Sequence, residues 1–154
     1  MQYTIETEIN QPREKVIKLF DNPDNLAYWQ PGFISFTHES GEAGQPGAVS
    51  RIRYDHGNGK EFDMIETVKV RNLPKEFSGT FEVPGRMTVQ IQNYFHERGP
   101  DRTILVAKNE VTFHGFWKLM GFFIGGCSRN ESREFMNNLK AFCETGADVR
   151  EQGK

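Results

Sequence analysis

The sequence contains little cysteine, and its histidines stand singly. Cys127 and Cys143 are sixteen positions apart, with no Cys-x-x-Cys pair and no histidine motif beside them. This pattern predicts neither a disulfide framework nor a zinc site. The four histidines lack the i, i+4 spacing and the His-x-His pairing of metal ligands, so we expect no metal and no other cofactor.

The sequence also lacks a strong net charge and a long hydrophobic run. The net charge is −2 and the Lys and Arg residues are scattered, which disfavours a nucleic acid or an anionic membrane as partner. The most apolar run, residues 116–126, contains Lys118 and is far shorter than the roughly twenty residues of a membrane span. The first ten residues do not have the pattern of a signal peptide. We therefore expect a cytoplasmic protein.

Aromatic residues, by contrast, are plentiful. The chain has 13 Phe, 4 Tyr and 2 Trp in 154 residues. Such side chains bring large, rigid apolar surfaces, so they fill protein cores and also line ligand pockets. The chain length fits one domain, which we place at residues 1–147, followed by a frayed polar tail at 148–154.

The first third of the chain predicts a strand and two short helices. Tyr3, Ile5, Thr7 and Ile9 alternate with polar residues, as in a strand with one wet face. Asn10 then offers an N-cap before Pro12 and a short helix, and a second start signal at 21–23 opens another short helix.

The middle of the chain predicts six more strands in series. They cover residues 33–39, 48–55, 61–71, 76–83, 86–97 and 102–114. The connections are short and rich in turn residues, including Asn58-Gly59, a strong hairpin signal. Short connections favour an antiparallel meander over a parallel sheet.

The last third predicts a long helix. Phe135, Leu139, Phe142 and Cys143 form an apolar stripe that should face the core, and Gly146 is a plausible end. At Gly125-Gly126 two readings stay open, one long bent helix or two segments. A sheet of about seven strands curls, and one helix cannot fill its concave face, so bulky side chains or a ligand must do so.

Several short sequence segments, taken in their order along the chain, resemble a known family. They are residues 9–16, 20–26 with Trp29 close behind, 44–48 and 72–75. Together they resemble the SRPBCC superfamily, the Bet v 1-like or START-like helix-grip proteins, and most of all its bacterial polyketide cyclase/dehydrase group. The resemblance implies an α+β helix-grip fold, with a curved antiparallel sheet around the C-terminal helix. It implies a deep pocket, but no particular activity.

The candidate pocket lining consists of the large apolar side chains spread over these elements. Core packing is the simpler explanation for any one of them, but the set is typical of an adaptable apolar wall. The candidates are Trp29, Phe33, Tyr54, Phe62, Met64, Phe81, Met87, Phe95, Phe113, Trp117, Met120, Phe123 and Phe135.

Three polar residues alternate with apolar residues in the predicted strands so that they should lie on the same strand face. Glu66 alternates with Met64, Val68 and Val70, so its carboxyl should face the concave interior, where burial could make it an acid or base. A bulge, or pairing with an arginine such as Arg51 or Arg53, would remove that role. Asn93 and Asn109 have similar positions and could orient a ligand's carbonyl or hydroxyl, or satisfy a backbone group.

Three functions remain in view. The first is a carrier or sensor that binds a small apolar ligand, such as a lipid, an isoprenoid or an aromatic metabolite. The second is a cyclase or dehydratase-like enzyme with Glu66 as its acid or base and Tyr54 or Tyr94 as helpers. The third is a protein-interaction module with a filled core. A homodimer is compatible with each of them.

Overall fold

The computed structural model describes residues 1–55, 57, 59–120 and 129–151. Seven strands form one antiparallel sheet in the order β1-β7-β6-β5-β4-β3-β2. The strands are β1 Gln2–Ile9, β2 Phe33–Ser40, β3 Val49–Asp55, β4 Glu61–Asn72, β5 Glu76–Val83, β6 Met87–Glu97 and β7 Thr103–Phe113. The predicted α+β architecture is confirmed, and the strand limits agree with the predictions to within one residue.

Among the described residues, four α-helices accompany the sheet. They are α1 Arg13–Phe20, α2 Leu26–Trp29, α3 Trp117–Met120 and α4 Arg129–Thr145, and a 3-10 turn at Pro23–Asn25 leads into α2. The two short helices after β1 are therefore confirmed. Whether the C-terminal helix continues through Gly125-Gly126 lies outside the described residues.

The start of α1 corrects one sequence prediction. Pro12, not Asn10, is the N-cap residue of this helix, and it makes no capping bond through its side chain. The backbone N–H of Asn10 instead donates to Glu144 Oε2 at 2.6 Å. This contact ties the end of β1 to α4. The second start signal is confirmed, since the Asn22 side chain accepts a hydrogen bond from the backbone N–H of Asp24.

The core lies between one side of the sheet and α4. In β1, every second residue is buried, beginning with Tyr3, and on α4 Met136, Leu139, Phe142 and Cys143 are buried. These faces pack together with apolar residues of β6 and β7. The predicted stripe of α4 thus packs mainly over β1, with α1 and α2 beside it.

Residues 148–151 of the predicted polar tail form a turn. A short 3-10 helix spans Val149–Glu151. The Arg150 guanidinium lies 5.0 Å from the centre of the Tyr28 ring and also binds the Asp148 carboxylate at 2.6 Å. The turn therefore packs on α2. Residues 152–154 lie outside the described part of the chain.

Candidate ligand-binding cavity

A cavity of about 580 Å³ lies against the inner face of the sheet. Because α4 packs over β1, no helix among the described residues packs extensively on the inner faces of β3, β4 and β5. The open space between these strands and the helices is the cavity. Its wall includes residues from all seven strands, from the end of α1, from α2 and from the beginning of α4.

The cavity brings together nine of the side chains predicted from the sequence. All nine belong to its wall, and six of them are large apolar or aromatic side chains. The nine are Trp29, Tyr54, Phe62, Met64, Glu66, Phe81, Asn93, Asn109 and Phe135.

Five other predicted side chains lie outside this wall. Met87 and Phe95 are on the predicted inner face of β6, but they stand at its two ends, and Phe95 packs edge-on against Phe20 with 5.3 Å between ring centres. Phe113 pairs with Met87 across β6 and β7. Strand parity predicts the face of a residue correctly here, but it does not predict how far the cavity extends along the strand.

The remaining two of these five, Phe33 at the start of β2 and Trp117 in α3, also lie outside the cavity wall. Phe33 packs edge-on against Tyr54 at 6.3 Å, behind a wall residue. Trp117 lies under the Arg86 guanidinium, 5.0 Å from the ring centre. Phe123 and the side chain of Met120 belong to the part of the chain that the structure does not describe.

Glu66 is the polar residue of the wall with the most unusual surroundings. It lies on β4 between Ser50 of β3 and Phe81 of β5, and it is half-buried. Among the described residues, no hydrogen bond or ion pair reaches its carboxyl group. Burial, followed by the negative charge of Asp21, raises its pKa to about 7.

The arginines that could have paired with Glu66 face the other side of the sheet. Arg51 and Arg53 each bind Asp63 at 2.9 Å. Asp63 and Glu66 are three residues apart on β4, so they point to opposite faces. The pairing that would have neutralised Glu66 therefore does not occur.

A β-bulge follows Glu66 and changes the parity of β4. The register shifts between Val68 and Val70, so that Val70 is 37% exposed while Arg71 joins the cavity wall. The expectation that Val70 faces inward with Glu66 is therefore wrong. A bulge inserts one residue into a strand, and every later residue on that strand changes face.

Arg71 connects three parts of the wall. Its guanidinium donates to both carboxylate oxygens of Asp21, at 2.8 and 2.7 Å, and to the carbonyl oxygen of Gly44 at 3.3 Å. Asp21 follows α1, and Gly44 lies in the loop between β2 and β3. The pair thus holds the helix end and the loop against the sheet.

Amide and hydroxyl groups line the opposite side of the cavity. Asn109 donates to the carbonyl oxygen of Ala107 at 3.2 Å, and a 2.7 Å hydrogen bond joins the hydroxyls of Tyr3 and Ser132. Asn93 is 8% exposed, and within the described residues its amide has no hydrogen-bond partner. A ligand that carries a hydroxyl or carbonyl group could supply one.

Several wall residues were not predicted from the sequence. Phe77 shares the strand face of Phe81, so alternation along β5 could have identified it. Asp21 and Arg71 could not be found in this way, because one follows a helix and the other follows the bulge. Phe20, Phe36 and Ile91 also belong to the wall.

The described residues contain no group of three or more His, Cys, Asp or Glu that could hold a metal ion. The ring of His38 bonds to the carbonyl oxygen of Gly41 at 2.8 Å, and the ring of His114 bonds to the Thr88 hydroxyl at 2.8 Å. His56 lies outside the described residues. Cys143 is free and buried.

None of the described helices combines the length and the apolar character that crossing a membrane requires.

Comparison with known proteins identifies the fold. No family model matches the chain, and no curated protein matches its sequence. Solved structures do match. The ZhuI aromatase/cyclase from Streptomyces sp. R1128 superposes with a TM-score of 0.79 at 12% identity, over 99% of this chain and 98% of that chain.

Two plant proteins are similar as well. Ara h 8.0201 gives a TM-score of 0.69 at 13% identity, over 93% of this chain and 97% of that one. The ginseng major latex-like protein 151 from Panax ginseng gives 0.66 at 10% identity, over 90% and 91%. The chain therefore shares the helix-grip fold of these solved structures. At these identities the likeness shows the fold alone, and not an activity.

Proposed function

We propose that this protein binds a small hydrophobic molecule in its internal cavity, as a carrier or sensor. The observation that carries the proposal is the cavity itself. Its volume of about 580 Å³ falls within the roughly 300–1,000 Å³ that small-molecule sites have. A volume of this size argues against the interaction module with a filled core.

The chemistry of the wall supports a ligand with a mostly apolar body. Trp29, Phe62, Phe81 and Phe135 present aromatic surface, and Met64 adds a flexible apolar side chain. The amide of Asn93, which has no hydrogen-bond partner among the described residues, supplies a donor and an acceptor within this surface. Apolar walls with a few placed polar groups are typical of sites that bind and orient small molecules.

A cavity-filling variant tests the proposal. Ala107 is 4% exposed and belongs to the wall, so Ala107→Trp places an indole in the space that a ligand would use. Gln92→Trp places the same indole on the exposed outer face of the neighbouring strand. Binding is measured by native mass spectrometry and calorimetry with a panel of neutral aromatic and isoprenoid alcohols and ketones.

We expect the wild type and Gln92→Trp to bind the same panel members, and Ala107→Trp to bind them at least about tenfold more weakly, because each 1.4 kcal/mol of lost contact is a factor of ten. Circular dichroism and thermal unfolding are the controls that test whether each variant is folded. Equal binding by the wild type and a folded Ala107→Trp would place the ligand outside the cavity.

Glu66 favours a second candidate function, proton-transfer catalysis on the bound molecule. A carboxyl group with a pKa of about 7 can both accept and donate a proton near neutral pH, as a general acid or base must. In a dehydration, Glu66 would take the proton from a carbon beside a carbonyl and return it to the leaving hydroxyl, which departs as water. Glu66→Gln should then lower turnover of a bound β-hydroxy ketone about 10²–10⁴-fold and leave its affinity nearly unchanged.

A further inference from the structure

The cavity wall is acidic, although the protein as a whole is nearly neutral. Among its described residues the wall includes five carboxyl groups but one guanidinium. The carboxyl groups belong to Asp21, Asp55, Glu66, Glu131 and Glu134, and the guanidinium belongs to Arg71.

The single guanidinium is already engaged. Arg71 donates to both oxygens of Asp21 and to the Gly44 carbonyl, so its charge and its donors are used within the wall. A ligand carboxylate would find no free cation among the described wall residues, and it would share the cavity with the Glu66 carboxyl group, which has no partner among those residues. The wall therefore disfavours fatty acids and other anionic ligands.

The carboxyl group of Glu66, by contrast, favours a ligand that carries a positive charge. Its carboxyl lies between Ser50 of β3 and Phe81 of β5, and it has no partner among the described residues. Burial and the charge of Asp21 raise its pKa to about 7, and among the described residues no positive charge pairs with its ionised form. An ammonium group would supply that charge, and the nearby aromatic ring would add a cation–π contact.

We propose that the ligand of this cavity is a hydrophobic amine, bound in its protonated form with the ammonium group at Glu66 and the apolar body against the aromatic wall. This inference rests on the proposed binding function and deepens it, because it names the chemical class of the ligand. Asn93, 8% exposed and unpartnered among the described residues, is a second polar contact available to the ligand in the same cavity.

Three probes that differ only at one end test the inference. Tryptamine, tryptophol and indole-3-acetate share an indole ring, and at pH 8 their side chains are cationic, neutral and anionic. At this pH Glu66 is mostly ionised and an aliphatic amine, with a pKa of about 10, stays protonated.

Affinities are measured by calorimetry for the wild type, for Glu66→Gln and for Glu82→Gln. Glu82 is exposed on the outer face of β5, so the control makes the same charge change away from the cavity.

We expect the wild type to bind tryptamine at least about tenfold more tightly than tryptophol, a difference of roughly 1.4 kcal/mol, and indole-3-acetate most weakly. Glu66→Gln should lose the preference for the amine and keep its affinity for tryptophol, whereas Glu82→Gln should behave as the wild type. A preference that survives in Glu66→Gln, or that is equally lost in Glu82→Gln, would overturn the role of Glu66.

The outcomes for ligand class and for binding itself can be told apart. If the neutral panel binds in the cavity but tryptamine binds no more tightly than tryptophol, the inference is wrong and the proposed function stands. If neither the panel nor any of the three indoles binds, both are wrong.

Discussion

Glu66 shows how a single side chain can carry an energetic cost within a stable wall. Its carboxyl group is half-buried between Ser50 and Phe81, and no described residue offsets its charge. Structural carboxylates are usually paired or hydrogen-bonded when they leave water. A half-buried carboxyl group without a partner among the described residues is therefore a candidate functional group.

The pKa of Glu66 predicts how stability depends on pH. Because the folded-state pKa is about 7 and the ordinary value is 4.5, stability is highest below pH 4.5 with respect to this group and is lost as the pH rises to 7. The loss is at most about 3 kcal/mol, at 1.36 kcal/mol per pKa unit. We expect Glu66→Gln to remove this loss, so that its free energy of unfolding in urea exceeds that of the wild type at pH 8.

Glu82→Gln is again the matched control, and its free energy of unfolding should follow that of the wild type from pH 5 to pH 8. Other titrating groups are common to all three proteins, so the informative quantity is the difference between the curves. Parallel curves for the wild type and Glu66→Gln from pH 5 to pH 8 would show that Glu66 keeps an ordinary pKa.

At the scale of elements, the bulge in β4 sets the chemistry of the cavity. It turns Val70 outward and brings Arg71 inward, where Arg71 binds Asp21 and Gly44. Gly79 of β5 lies opposite Val68 beside this bulge. A Cβ atom on Gly79 would come within 2.6 Å of the Thr67 carbonyl oxygen, so the close approach of the two strands requires glycine there.

Gly79→Ala should therefore destabilise the protein by roughly 1–3 kcal/mol, the range for overpacked sites whose neighbours must move. The neighbouring change Thr80→Ala keeps the β5 backbone and introduces no such contact, so its effect should be smaller. Chemical denaturation of both variants measures the difference. A Gly79→Ala protein as stable as the wild type would mean that β4 and β5 separate there without cost.

The bulge also marks the limit of what the sequence predicts. Alternation along β1, β6 and β7 is regular, and their inward faces follow from it. On β4 the same reasoning holds for Met64 and Glu66 but fails at Val70, because a bulge depends on backbone contacts with β5 rather than on residue type. The position of Asp21 beside Glu66 depends on how α1 packs, and this is a tertiary contact with no signal in the local sequence.

At the scale of the whole molecule, the placement of α4 decides that there is a cavity at all. The helix packs over β1 and against α2, and the predicted apolar stripe is used there. Among the described residues no helix packs extensively on the inner faces of β3 to β5, and the cavity lies there. Since a ligand would fill this space in the folded state alone, its binding should stabilise the fold as a whole.

We expect the tightest-binding member of the neutral panel, at about 100 times its Kd, to stabilise the wild type by roughly 2.7 kcal/mol. For a chain of this size, this corresponds to a rise in Tm of about 5–10 °C. Scanning calorimetry measures the shift, and Ala107→Trp at the same ligand concentration should show a much smaller one. Equal shifts in the two proteins would mean that stabilisation does not come from filling the cavity.

The order of strands in the sheet also determines when each strand can pair during translation. β1 pairs with β7 from Gln2↔Glu110 to Ile9↔Thr103, so within the described sheet the neighbour of β1 is the last of the seven strands to be made. At about 5–20 residues per second, translation takes roughly 5–20 s to reach β7 after β1 has been made. During this interval β1 has no strand to pair with, while β2 to β6 can already join as successive hairpins. Closure of the sheet by β1, and the docking of α4 onto it, are therefore late steps in the making of this protein.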